Sequence, residues 1–225
     1  MINLKPGKTE SMLLGTARKL STGRRCMNLF YRGTPVCVAE SYKCLGTIID
    51  PSLTLSTHFD KQYKRASTKL RLLEKLRSFL TKEGTKAVFH SVIQPSLTFN
   101  SLANLALSNT QRDKIKSLDR RASVVLNNSS KINTLDSIYK QAVKVVKKCM
   151  DGNICENYQT YFELNSHGVA TRNGGSFLKI PKVKLEFAKK GFYFQGVKLF
   201  NSLPIEVRLA QTLSEFQTKL KDHTF

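Results

Sequence analysis

The chain has 225 residues, with 37 Lys+Arg against 16 Asp+Glu and a formal net charge of +21. A hydrophobic content of 40% and a charged content of 24% provide for a core in one domain or two small ones and exclude a disordered composition. A compact chain with this excess of one sign repels itself, so its expected partner is a polyanion, nucleic acid before an anionic membrane.

Gly7-Lys8-Thr9 ends a phosphate-binding P-loop pattern, but the glycine required five residues earlier is Ile2. Pro6 also removes one N–H from any phosphate cradle. The tripeptide therefore reads as a turn. Residues 1–55 read as β-rich. Two short apolar runs flank Arg32-Gly33-Thr34-Pro35, a hairpin signal with Gly33 in the turn. Cys44-Leu45-Gly46-Thr47-Ile48-Ile49-Asp50 reads as one further strand, ended by Pro51.

From residue 56 to 82 the period changes. Phe59, Tyr63, Ala66, Leu70, Leu73 and Leu80 recur at spacings that are mostly three and four, one face of a helix capped by Ser56 or Thr57. Lys61, Lys64, Arg71, Lys75 and Lys82 fall on the opposite face, within roughly 80° at the ~100° step of a helix. Such a row is either a solvated face or a line of phosphate contacts. Asp60 and Glu74 are too few to neutralise it, and the whole-chain charge favours phosphate.

A second helix is predicted from Lys82 to Ile93, kinked or ended by Pro95. A third follows Asn109-Thr110, with Ile115, Leu118, Ala122 and Val125 on one face. A fourth follows Asn133-Thr134, with Leu135, Ile138, Ala142, Val145 and Cys149 in register. Asp136 near its start and Lys144, Lys147 and Lys148 toward its end suit the helix dipole, and Gly152 is its stop. Residues 61–148 hold 19 Lys/Arg and five acids, which predicts a basic helical bundle. Beyond it, residues 171–187 read as a loop and one or two strands with Lys179, Lys182 and Lys184 exposed. A short helix stops before Pro204, and a capped helix runs from Ser214 to His223 with Phe216 and Leu220 on one face.

Candidate chemistry is sparse. No G-x-S-x-G or H-E-x-x-H occurs, and His58, His90, His167 and His223 are scattered. Asp50 and Asp60 read as a turn residue and a helix-start residue rather than the paired carboxylates that two-metal nucleotidyl transfer needs. Cys26, Cys37, Cys44, Cys149 and Cys155 form no C-x-x-C. Cys149, Cys155 and His167 lack finger spacing and a fourth ligand, so ordinary reduced cysteines are expected. No apolar run approaches the ~20 residues of a membrane span, and the N-terminus has no apolar signal core, so the expected location is intracellular, in nucleus or cytoplasm. No cofactor, metal or small-molecule substrate is expected.

The order of several short segments resembles the C-terminal part of a reverse transcriptase of the non-LTR, LINE-type retrotransposons. Asn3-Leu4-Lys5-Pro6-Gly7-Lys8-Thr9-Glu10 and Met12-Leu13-Leu14-Gly15-Thr16 resemble the segment after the catalytic aspartates, often called motif D. Cys44 to Asp50, with Leu53-Thr54 and Ser56-x-His58, resembles the primer-grip hairpin and the entry to the thumb. Leu72-Leu73-x3-Arg77-x-Phe79-Leu80 is similar to the thumb helix, and Ile93-x-Pro95 and Leu118-Asp119-Arg120-Arg121-Ala122 to the helices beyond it. His167-x3-Thr171-Arg172, Ile180-Pro181 and Gly196-x2-Lys198-Leu199-Phe200-Asn201-x-Leu203-Pro204 are similar to the tail. Two positions depart from the pattern: Cys44 stands where an aromatic is usual and Phe200 where Trp is usual. The resemblance implies a palm remnant with a β-hairpin (1–55), a thumb-like helical bundle (56–130) and a C-terminal tail region (131–225), an α+β fold that is mainly α.

The function so implied is that of a fragment of an RNA-directed DNA polymerase. It lacks counterparts of the catalytic aspartates, and it is expected to bind template–primer duplex or RNA/DNA hybrid through Lys61, Lys64, Arg71, Lys75 and Lys82 without catalysis. Lys8 would match the motif D lysine. The alternatives are a non-enzymatic basic nucleic-acid-binding protein and a decayed element product without function.

Overall fold

A computed structural model describes residues 9–23, 28–127, 132–154, 156–165 and 177–225. The fold is α+β and mainly helical, and it divides into two units, Met1–Lys61 and Gln62–Phe225.

In the first unit the turns decide the strands. Arg32 (φ 51°) and Gly33 (φ 76°) are both left-handed, the geometry that matches strand twist in a two-residue hairpin. Phe30–Tyr31 pairs antiparallel with Thr34–Pro35 across them. The Cys44–Asp50 segment is not one strand. Leu45 (φ 46°) and Gly46 (φ 88°) reverse the chain in the same way, and Tyr42–Cys44 pairs with Thr47–Ile49 as a second hairpin. Glu10–Ser11 pairs parallel with Cys37–Val38. A short helix, Ala17–Gly23, has no counterpart in the sequence reading.

Asp50 organises the turn that leaves the second hairpin. Its carboxylate accepts from the backbone N–H of Ser52 and Thr54 (both 3.1 Å) and Leu55 (2.7 Å), and from the Thr54 hydroxyl (3.2 Å). These bonds hold Leu53 and Leu55 at φ 53° and 55°, a conformation that costs a branched residue energy unless its surroundings impose it.

The long helix Ser56–Leu76 buries Phe59, Ala66, Leu70 and Leu73, as its periodicity predicts. It does not reach residue 82. Arg77–Phe79 tightens to a 3-10 turn. Thr81 then starts a new helix by accepting the Gly84 N–H (3.0 Å) on its hydroxyl, a cap that satisfies an otherwise orphaned donor. Leu80 is left exposed, and the helix that Lys82 begins runs through Pro95 rather than stopping at Ile93. Residues Phe89–Ile93 widen into a π turn, and Gln94–Thr98 continues the helix. Proline lacks the N–H and crowds the preceding turn; the wider turn makes room. The Val92 carbonyl inside it accepts from Lys69 Nζ (3.0 Å) and Ser96 Oγ (3.1 Å).

Two apolar clusters form the core of the second unit. In one, Ala66, Leu70 and Leu73 meet Phe89, Ile93, Leu97, Leu118 and Ala122. In the other, Val143, Val146 and Cys149 meet Val197, Phe200, Val207, Phe216 and Leu220, and Phe200 stacks on Phe216 with ring centroids 6.1 Å apart. The helices Asn109–Val125 and Thr134–Met150 start two residues and one residue earlier than the sequence suggests, because Ser108, in a capping box with Gln111, and Asn133 are the caps. Thr134–Met150 packs on two sides, which buries Val143 and Val146 in addition to Leu135, Ile138, Ala142 and Cys149. Lys147, expected as a dipole partner, is buried and paired with Asp151 at 2.7 Å. Gly152 (φ 70°) ends that helix.

No strand follows Phe177. Among the described residues the segment makes a single bridge, Leu164 to Leu178, and Asn201 holds Leu178 by its N–H (2.8 Å) and its carbonyl (2.9 Å). The side-chain amide occupies both backbone groups of Leu178 on the edge away from Leu164, where a second partner strand would pair. Helices Phe192–Ser202 and Leu213–Asp222 close the fold, the latter capped by Thr212. Gly196 lies so close to Thr134–Met150 that an added Cβ would stand 3.0 Å from Val146 Cγ2.

Candidate nucleic-acid interface

Residues on one face of a helix point the same way whatever the rest of the fold does, so the exposed face of Ser56–Leu76 is built locally. Lys61, Lys64, Arg71 and Lys75 are all exposed on it. At ~1.5 Å per residue they span about 20 Å of helix. None of the four makes a salt bridge among the described residues. Glu74, on the same helix, is drawn off by Arg121 of the Asn109–Val125 helix at 2.9 Å, so it does not neutralise the row.

Two lysines of the region stand elsewhere. Lys82 is the first residue of the next helix, off the ridge because the helix breaks at Arg77–Phe79; with Arg77 it lines a polar hollow of about 40 Å³. Lys69 is spent on Val92 and Ser96. Arg65, exposed one turn after Lys61, borders the row and is legible from its i,i+4 spacing.

Other sequence candidates resolve as structural groups. Asp50 holds a turn. His58 is buried, its Nδ1 accepting the Ile48 N–H at 3.4 Å, and His90 pairs with Gln94 at 2.8 Å. Cys37, Cys44 and Cys149 are free thiols, and burial pushes the Cys149 thiol above its ordinary range. No group of three or more His, Cys, Asp or Glu among the described residues is placed to hold a metal ion. No helix there is long and apolar enough to cross a membrane. Lys8, Cys26, Cys155, His167, Thr171 and Arg172 lie outside the described residues.

A second exposed feature has no local signal in the sequence. Tyr158 and Tyr161 lie 6.1 Å apart, and Tyr161 meets Tyr193 edge to face at 5.2 Å. Buried Phe162 supports Tyr193 at 5.7 Å. The Tyr193 phenol is held above its usual range by burial first, then by the charge of Glu163. No family model, curated protein or solved structure matches this chain.

Proposed function

We propose that this chain grips a nucleic-acid duplex through its backbone phosphates, along the exposed face of the Ser56–Leu76 helix, and carries out no catalysis of its own. In this reading it corresponds to the end of the palm, the thumb and the tail of a LINE-type reverse transcriptase. The observation that supports it is the exposed row Lys61, Lys64, Arg71 and Lys75, which makes no salt bridge among the described residues, in a chain of formal charge +21. A rigid line of cations spaced along a helix suits successive phosphates. It reads no base edge, so binding is independent of sequence.

The test is the salt dependence of binding to an RNA/DNA hybrid. With Arg65 the row offers about five phosphate contacts, so log K against log[salt] should slope at roughly −4 to −5. A flat response overturns the reading. Primer extension on an RNA template with added divalent metal should stay at the blank, and extension above it removes the non-catalytic half of the proposal.

A further inference from the structure

The tail holds an exposed aromatic cluster and a lysine-rich segment. Tyr158 is 52% and Tyr161 49% exposed, large values for rings that also contact one another. Tyr193 extends the cluster and is fixed from below by Phe162. Residues 177–200 contain six lysines and one acid, Glu186, which Lys189 already holds at 2.6 Å. Lys179 reaches Glu163, an acid near the rings, at 3.9 Å. Lys190 lies three residues before Tyr193 in the chain, and Lys198 sits over the Phe194 ring of the same helix at 4.9 Å.

We propose that this surface binds single-stranded nucleic acid, unpaired bases stacking on Tyr158, Tyr161 and Tyr193 while Lys179 and Lys190 hold the backbone. It stands on observations separate from the helix ridge and fits a different form of the ligand. Aromatic faces stack on any base, but only when the base is out of a duplex, and cations beside them follow the phosphates. The charge argues against a protein partner, because the cores of protein interfaces are depleted of lysine. The two surfaces divide the work: phosphates of paired strands on the helix, bases of an unpaired strand on the tail.

The chain has seven tyrosines and no tryptophan, so tyrosine emission reports stacking directly. Saturating oligothymidylate of about 20 nucleotides should quench it, as stacking requires, while a hybrid duplex should leave it nearly unchanged. Tyr158→Ala with Tyr161→Ala should weaken oligothymidylate binding about tenfold or more, and Tyr158→Phe with Tyr161→Phe should restore it, since phenylalanine keeps the stacking face. Affinity for the hybrid should hold within about twofold in both variants, because its phosphates are held elsewhere. A folded alanine variant with unchanged single-strand affinity overturns the proposal, as does equal loss for both ligands. So does an alanine variant that changes only the sedimentation of the chain, which would mark the rings as a contact between copies. If the alanine pair does not fold, the wild-type emission decides: no quenching by oligothymidylate, or equal quenching by the hybrid, overturns it.

Discussion

The carboxylate of Asp119, buried in the helix Asn109–Val125, accepts both the backbone N–H (2.9 Å) and the hydroxyl (2.6 Å) of Thr134, the first residue of the next long helix. One side chain thus anchors the start of Thr134–Met150 across the segment that joins the two helices. Asp119→Ala strips a buried donor pair of its acceptor. It should cost about 2–4 kcal/mol, the sum of a lost cap and an unsatisfied buried group. Urea unfolding measures it, and a cost under ~1 kcal/mol would show that the bond pair does not anchor the helix.

The same carboxyl gives a pH signature. Burial raises its pKa above the ordinary 3.8, and the two Thr134 bonds pull it only part of the way back. The folded state then holds the proton more tightly than the unfolded state. Its contribution to stability is therefore greatest below 3.8 and declines as pH rises through the folded pKa. Asp119→Asn removes this dependence. The stability difference, wild type minus Asp119→Asn, should shrink from pH 4 upward; a difference that grows over that range reverses the sign and refutes the assignment.

Charge position should matter more than charge number in duplex binding. Replacing Lys61, Lys64, Arg71 and Lys75 with Gln barely alters helix propensity and should reduce the magnitude of the salt slope on a hybrid by roughly 3–4, about one per lost contact. Replacing Lys179, Lys182, Lys184 and Lys189 removes the same charge from the tail and should change it far less. Equal losses from the two sets would leave only general attraction between a basic chain and a polyanion.

The two faces of the long helix should respond oppositely to truncation. Leu70 is fully buried against Ile93 and Leu118 in one cluster, whereas Leu72 is 57% exposed. Leu70→Ala should cost about 2–5 kcal/mol, the range for a buried leucine that leaves a cavity. Leu72→Ala should stay within ~0.5 kcal/mol. Similar costs at both positions would mean the helix does not pack by the face its periodicity selects.

What the sequence alone determined is local. The period of Ala66, Leu70 and Leu73 selects a buried face because side chains three and four apart stack on one side of any helix. Gly33 marks its hairpin because a two-residue turn needs left-handed φ. Asn133 and the residues around Asn109 mark helix starts because an unpaired N–H needs an acceptor nearby. The lysine row is legible for the same reason: exposure opposite a buried stripe is a property of one helix.

The rest of the fold depends on partners far apart in the chain. Val143 and Val146 are buried because Thr134–Met150 receives helices on a second side, which no single-helix pattern can announce. Asn201 holds Leu178 from 23 residues away, so a segment that alternates like a strand finds a side chain instead of a neighbouring strand. Pro95 continues a helix because a π turn and Lys69 accommodate it. Tyr158, Tyr161 and Tyr193 become one surface only when the Phe192–Ser202 helix brings the third ring to the first two. The physical reason is common to all four: periodicity and capping are set by bonds within a turn or two, whereas burial and clustering are set by which faces meet, and that is a property of the folded chain as a whole.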